Sequence, residues 1–310
     1  MASHYRFRRY EPEGDWFRVR DFLSATYLTH DPLLNWGIER WNWSRYHPSI
    51  FDGDVDANIR AWDGAVGLWE TETGDLAGVV HVEDPRPGDA FIERHPEHPD
   101  LLEAMLDYAE GTLRDPATGV LRVYAYDHDA ALREILARRG YTPDAEHPGY
   151  DSEYPIDTIG IPEPRLEDGF RVRSMADGGD RARRCKAGGL GFNHPDPAEW
   201  TTPDQYRQVQ QAPDYRADLD LYAEGPDGEY VSSCIAWIDA PNRIGFFEPV
   251  STNMHYRRRG FGREVVLEGV RRLAALGATR ARVGSGQPFY LAIGFRKIAV
   301  GCQWTLAPTG

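Results

Sequence analysis

Residues 257–262 read Arg-Arg-Arg-Gly-Phe-Gly and stand between a strand-like run, 245–252, and a helix-like run, 263–276. A glycine-rich turn that opens a helix presents unpaired backbone N–H groups at the positive end of the helix dipole, which makes a seat for phosphate. Two side chains near it in sequence have types suited to proton transfer: Glu248, a carboxylate in the strand-like run, and Tyr290, a phenol that stays protonated at neutral pH. The spacing Arg257-x-x-Gly260-x-Gly262 lacks the Gly-Lys-Ser/Thr of a P-loop. It also lacks the three glycines and following acidic residue of a dinucleotide fingerprint.

Three neighbouring pieces give the loop a context. Glu248-Pro-Val-Ser-Thr252 leads into Tyr256, residues 278–284 read as a further strand, and Phe289-Tyr-Leu-Ala-Ile-Gly-Phe295 follows. In this order they resemble the GCN5-related N-acetyltransferases, whose pyrophosphate loop is Arg/Gln-x-x-Gly-x-Gly/Ala between the fourth strand and third helix. The family's later segment is Leu/Phe-Tyr-x-x-x-Gly-Phe. The resemblance implies acetyl-CoA as cosubstrate, held by Val250, Ser251 and Thr252 on a splayed strand and by Arg257, Arg258, Arg259, Gly260, Phe261, Gly262 and Arg263 in the loop. The chain departs from the family at 284–289, Gly-Ser-Gly-Gln-Pro-Phe, where an Asn and a small helix are usual; Ser285 or Gln287 stands in for those contacts.

Acetyl transfer to nitrogen sets the remaining requirements. An alkylamine with a pKa near 10.4 is neutral in only about one molecule in 2,500 at pH 7, so a base or a base-linked water must take its proton. Glu248 is the candidate, acting through water, against the alternative of a structural carboxylate at the strand end. A backbone N–H near 250–252 would face the charge on the thioester oxygen. Tyr290 holds the position of the family's acid tyrosine, its other reading being a core aromatic. For the acceptor, His194, Trp200 and Trp237, with Asp196, form either an aromatic slot for a cation or ordinary packing. The expected activity is direct transfer of acetyl from acetyl-CoA to the primary amine of a small molecule. The alternatives are a non-catalytic acyl-CoA-binding scaffold and a protein-lysine acetyltransferase.

The elements that position these residues occur twice. Tyr5-Arg-Phe-Arg8 has an echo in Phe170-Arg-Val-Arg173, 165 residues later. Runs 61–70 and 76–82 read as a strand pair matching 218–223 and 230–237. Apolar residues at 102, 105, 106, 109 and 113 mark a helix, followed by a strand at 120–124 and a helix at 129–139. Between the first copy's strand 90–93 and its helix lies Arg94-His-Pro-Glu-His-Pro-Asp100, without glycine and with carboxylates where phosphates would sit. The expectation is an α/β fold with a mixed sheet, as two tandem acyl-CoA N-acyltransferase domains with the first degenerate. This arrangement is similar to that of tandem family members such as the mycothiol synthases. The boundaries are 1–154 for the degenerate domain, 155–168 for a linker and 169–310 for the catalytic domain. The aromatic run 35–43 is expected to pack the halves together or to cover a pocket.

Composition narrows the partners. The 310 residues suit two domains of about 150 each. With 35 basic against 49 acidic residues, a formal charge of −14 argues against nucleic acid. A polyanionic cofactor must therefore be held by the local arginines, the distant carboxylates being screened over a Debye length of about 8 Å. Cys185, Cys234 and Cys302 form no C-x-x-C pair, which argues against a disulfide framework or a zinc site, and Cys234 reads as a small buried hydrophobe. His95 and His98, beside Pro96 and Pro99, read as a surface turn, and no metal is expected. No apolar run reaches the roughly 20 residues of a membrane span, and the run from Met1 to Arg9 lacks a signal peptide's apolar stretch, so a cytoplasmic protein is expected. Monomer and homodimer are both open.

Overall fold

The computed structural model describes residues 5–28 and 33–308; the first four residues of the amino-terminal run lie outside the described residues. The chain forms two compact units, Met1–Asp151 with Ile298–Gly310, and Ser152–Lys297. In the first unit the order is β1 (Arg6–Arg9), α1 (Pro12–Tyr27), α2 (Ile38–Tyr46), α3 (Val55–Ala65), β2 (Gly67–Glu70), β3 (Leu76–His81), β4 (Asp89–Arg94), α4 (Leu102–Thr112), β5 (Leu121–Tyr126), α5 (Ala130–Arg138) and β6 (Thr142–Pro143). The strand β7 (Gly149–Tyr154) then leads through α6 (Ile156–Ile159) into the second unit. There follow β8 (Arg171–Ser174), α7 (Arg181–Gly191), α8 (Pro203–Val209), β9 (Asp220–Glu224), β10 (Tyr230–Asp239), β11 (Ile244–Thr252), α9 (Phe261–Ala275), β12 (Arg280–Val283), α10 (Pro288–Ala292) and β13 (Arg296–Leu306).

The two units share one strand plan. In the first, strands pair in the order β1-β2-β3-β4-β5-β13; in the second, β8-β9-β10-β11-β12-β7. Every neighbour is antiparallel except β4 with β5 and β11 with β12. The repeat reaches individual ion pairs. Arg6 and Arg8 on β1 reach the buried Glu70 on β2, and Arg171 and Arg173 on β8 reach Glu224 on β9. Cross-strand pairing at the same register places both basic side chains on the face of the carboxylate opposite them.

Three expectations are corrected. The division is not at 154 and 169. Residues 152–154 pair with β12, and Tyr154, Ile156, Ile161 and Leu166 pack with the second core, so the expected linker is a docked part of that unit. The last strand instead pairs with β5 over Gly301–Leu306, and Cys302 and Trp304 join the first core. Residues 61–65 end a helix. Val55, Ile59 and Trp62 at i, i+4 and i+7 follow Asp54, whose carboxylate caps the Ala57 N–H at 3.0 Å, and only 67–70 are strand. Trp36 and Trp41 of the 35–43 run serve the first unit's own interior. Trp41, fully buried, meets Trp62 and Tyr10 edge-on or tilted at centroid distances of 5.2 and 6.1 Å.

Candidate active site in the second unit

The site opens where two parallel strands part. β11 pairs with β12 only at Ile244, Gly245 and Phe246 and then diverges from it. Its other edge stays on β10 as far as Thr252, with a register shift that leaves Glu248 and Pro249 bulged between Phe247 and Val250. Asn253 N donates to Val231 O at 3.0 Å, so the alternation of an antiparallel ladder turns the N–H and C=O of Val250 and Thr252 away from β10. Within the expected 250–252 stretch, these two residues offer outward amides on an edge that β12 has left.

The loop completes that edge. Gly260 takes φ of 89°, which a glycine adopts without strain, and caps α9 with no side chain in the way. The amides of residues 260–263 meet no protein acceptor among the described residues, leaving the positive end of a 15-residue helix open. At Gly262 an added Cβ would stand 2.7 Å from Thr252 Oγ1 and 3.3 Å from Phe289, so only glycine lets the helix start this close to β11.

The arginines divide their work. Arg257 lines the cleft, but its Nη2 donates to Gly191 O at 2.7 Å and its Nε to Thr252 O at 3.2 Å, clipping the end of α7 to the loop. Arg259 is turned from the cleft onto Glu167 and over the rings of Phe170, Tyr256 and Phe261. Arg263 pairs with the buried Glu264. Arg258, held at φ of 63°, has no ion pair among the described residues and lines the cleft. Arg257 and Arg258 thus carry charges paired with no carboxylate among the described residues, and of the four arginines expected on phosphate Arg258 alone is also held by no backbone carbonyl there.

The cleft has a volume of about 670 Å³. Val250, Ser251, Thr252, Arg257, Arg258, Gly260, Phe261, Gly262, Arg263 and Tyr290 line it; Glu248, Arg259 and Ser285 do not. Tyr290 sits on α10 and is 7% exposed; burial first, then the nearby Glu248 carboxylate and Cys234, hold its phenol protonated well above the ordinary value. Glu248 itself is half-buried, and its backbone carbonyl accepts the Trp237 indole N–H at 2.7 Å. Ser285 is spent on its turn, where its Oγ accepts Gln287 N–H at 3.3 Å and its carbonyl accepts Ser152 Oγ, whereas Gln287 lines the cleft. All three thiols are buried; burial pushes that of Cys234 far up, so it acts as core.

The expected acceptor slot is not assembled. Trp237 is fully buried in β10, while Trp200 donates its indole N–H to His194 O at 2.9 Å and lies over Gly189; none of the three lines the cleft. The wall on that side comes instead from Gly191, Phe192 and Asn193 at the end of α7. An added Cβ on Gly191 would stand 2.5 Å from Ser251 Cβ, so the glycines of 188–191 were the sequence signal for this close approach. Phe192 and Asn193 gave no such signal. Among the described residues no group of three or more His, Cys, Asp or Glu is set to hold a metal, and His98 contacts Tyr5 Oη at 3.1 Å. No helix among the described residues is long and apolar enough to cross a membrane.

No protein-family model matches the chain. It is 25% identical over 255 residues to a mycothiol acetyltransferase of Thermomonospora curvata, covering 78% of this chain and 82% of that one. It is 28% identical over 217 residues to a mycothiol acetyltransferase of Streptomyces bingchenggensis, covering 69% and 70%. Among solved structures, a tandem GNAT protein from the clavulanic acid biosynthesis pathway superposes with a TM-score of 0.66 at 13% identity over 99% of this chain and 100% of that one. N-myristoyltransferase of Saccharomyces cerevisiae, solved with myristoyl-CoA, gives 0.59 at 10% identity over 99% and 79%. The structural matches bear on the fold, and the sequence matches are long enough to run through both copies. With one strand plan in both units and a glycine loop opening α9 in the second, the chain has the two-copy fold of the GCN5-related N-acetyltransferases, and its likeness to the two mycothiol acetyltransferases runs through both copies and supports an acyltransferase.

Proposed function

We propose that the second unit transfers acetyl from acetyl-CoA to the primary amine of a small molecule. The observation that carries this reading is the meeting, in one cleft, of open helix-start amides, a splayed strand edge and a buried protonated phenol. Pyrophosphate suits the amides of 260–263 with Arg258 beside them. The outward amides of Val250 and Thr252 suit the pantetheine arm, whose own amides need such partners. Arg257 and Arg259 are assigned to holding the loop rather than to phosphate.

In the reaction, Glu248 accepts the ammonium proton through a water, freeing the nitrogen lone pair. As the C–N bond forms and the C–S bond breaks, an N–H of the splayed strand faces the carbonyl oxygen, the nitrogen loses its second proton through the same water to solvent, and Tyr290 gives its proton to the departing sulfur. The proton held by Glu248 returns to solvent, and Tyr290 is recharged from solvent. The phenol's raised pKa suits donation to a thiolate only as the charge develops. The two mycothiol acetyltransferases make mycothiol chemistry the first acceptor series to test. Acetyl-CoA titrated calorimetrically should bind one site per chain, and the Gly260→Asp, Gly262→Asp double variant should lose it. Tyr290→Phe should lower the acetylation rate about 10²-fold with acetyl-CoA affinity kept. An unchanged rate would remove Tyr290 as the acid.

A further inference from the structure

The first unit carries the same parted strands. β4 pairs with β5 only at Asp89 and Ala90 and then separates. His95 N donates to Ala77 O at 2.8 Å, so ladder alternation turns the N–H and C=O of Arg94 away from β3, as those of Thr252 turn away from β10. In the second unit the Thr252 N–H faces a cleft, while its carbonyl accepts from Arg257 Nε at 3.2 Å. In the first, the N–H and the C=O are both taken by one side chain of the chain itself. Asn35 Oδ1 accepts from Arg94 N at 3.0 Å, and Asn35 Nδ2 donates to Arg94 O at 2.9 Å. A carboxamide that accepts from one N–H and donates to the carbonyl of the same residue makes the pair of bonds an amide-bearing ligand would make there.

The neighbouring groups hold this arrangement. Asn35 is 1% exposed, and its Nδ2 also reaches Thr26 Oγ1 at 2.8 Å. Trp36 gives its N–H to Glu93 Oε2 at 2.8 Å and lays its indole on Phe91, with centroids 4.2 Å apart. Glu93 is fixed in turn by His81 Nε2 at 3.0 Å. The Arg94 guanidinium makes two bonds, 2.8 and 2.7 Å, to Asp129, the cap of α5. Beside them Trp36, Phe91, Glu93 and Asp129 line a space of about 20 Å³, room for about one water, against about 670 Å³ in the second unit's cleft.

We infer that the first unit is a self-liganded copy of the cofactor cleft: Asn35 takes the place of a ligand amide and Trp36 fills the space behind it, so the chain binds one acyl-CoA. The comparison rests on the proposed reading of the second-unit cleft. The test counts acetyl-CoA on the full chain by native mass spectrometry, in wild type and in Gly262→Asp. One bound in wild type and none in the variant supports the inference. Two bound in wild type overturns it while leaving the second-unit reading intact. One bound that persists in Gly262→Asp overturns both, because the ligand is then on the first unit. Should wild type bind none, the acyl-CoA reading fails, and the self-liganded cleft is judged without ligand from hydrogen exchange at the Arg94 amide. Slow exchange that becomes about tenfold faster in Asn35→Ala supports it. Unprotected exchange already in wild type, a measurement that needs no variant, overturns it.

Discussion

Gly260 and Gly262 do different things two residues apart, and substitution separates them. An alanine at 260 meets nothing within 4 Å but must hold φ of 89°, so Gly260→Ala should cost about 1–2 kcal/mol of stability, read from denaturant midpoints. Gly262→Ala places a methyl against Thr252 Oγ1 and Phe289 in the cleft, so acetyl-CoA affinity should fall about tenfold or more. Equal effects of the two changes on affinity would count against the cradle. Tyr290 makes a pH prediction. The protonated phenol is the active form, and its pKa is pushed up, so it stays present throughout the range below its ordinary value of about 10. The kcat profile should therefore show no alkaline fall with a midpoint below about 10.

Among the elements, α7 and the α9 loop are joined by the Arg257 side chain, which a sequence motif would assign to phosphate. Its hydrogen bonds to Gly191 O and Thr252 O make it a positioning residue, and ionic strength can tell the two roles apart. Arg257→Met should weaken acetyl-CoA binding about three- to tenfold and change its salt dependence less than Arg258→Gln does, because the Arg257 guanidinium is spent on backbone carbonyls rather than aimed at the ligand. Arg258→Gln should flatten that salt dependence. In the first unit, β1 and β2 are tied by Glu70. Burial alone would raise its pKa, but hydrogen bonds from Arg6, Arg8 and Arg18 outweigh burial and hold it down at about 2. A depressed pKa gives stability that is present above the unfolded value of about 4.3 and is lost as pH falls towards about 2. Glu70→Gln should remove about 1–3 kcal/mol at pH 7 and flatten the first unit's acid limb, followed by tryptophan fluorescence.

At the level of the molecule, the chain passes between the units twice, at 151/152 and at 297/298, which determines what can be cut free. A fragment of residues 152–297 keeps the β7 residues that pair with β12, together with Tyr154 and Ile156 in the core, and should give a cooperative melt. A fragment of residues 169–310 lacks those partners and carries the β13 residues that pair with β5 in the first unit, so it should aggregate or fail to melt cooperatively. Removing residues 298–310 from the full chain should destabilise the first unit while leaving acetyl-CoA binding by the second, as calorimetry would register.

Local chemistry was legible in the sequence. Glycine spacing at 260 and 262 dictates an open helix start, the Arg-x-Arg echo marks equivalent first strands, and the prolines and carboxylates of 94–100 argue against a phosphate seat in the first copy. Each depends on neighbours along the chain. Pairing across the chain was not legible: only the observed register sets residues 301–306 against β5, more than 170 residues away. Nor could spacing place Trp237 in the core, turn Arg257 onto carbonyls, or put the Asn35 carboxamide on Arg94, 59 residues away. Those outcomes depend on which buried polar groups meet after the strands have parted, and satisfying them is a property of the folded interior.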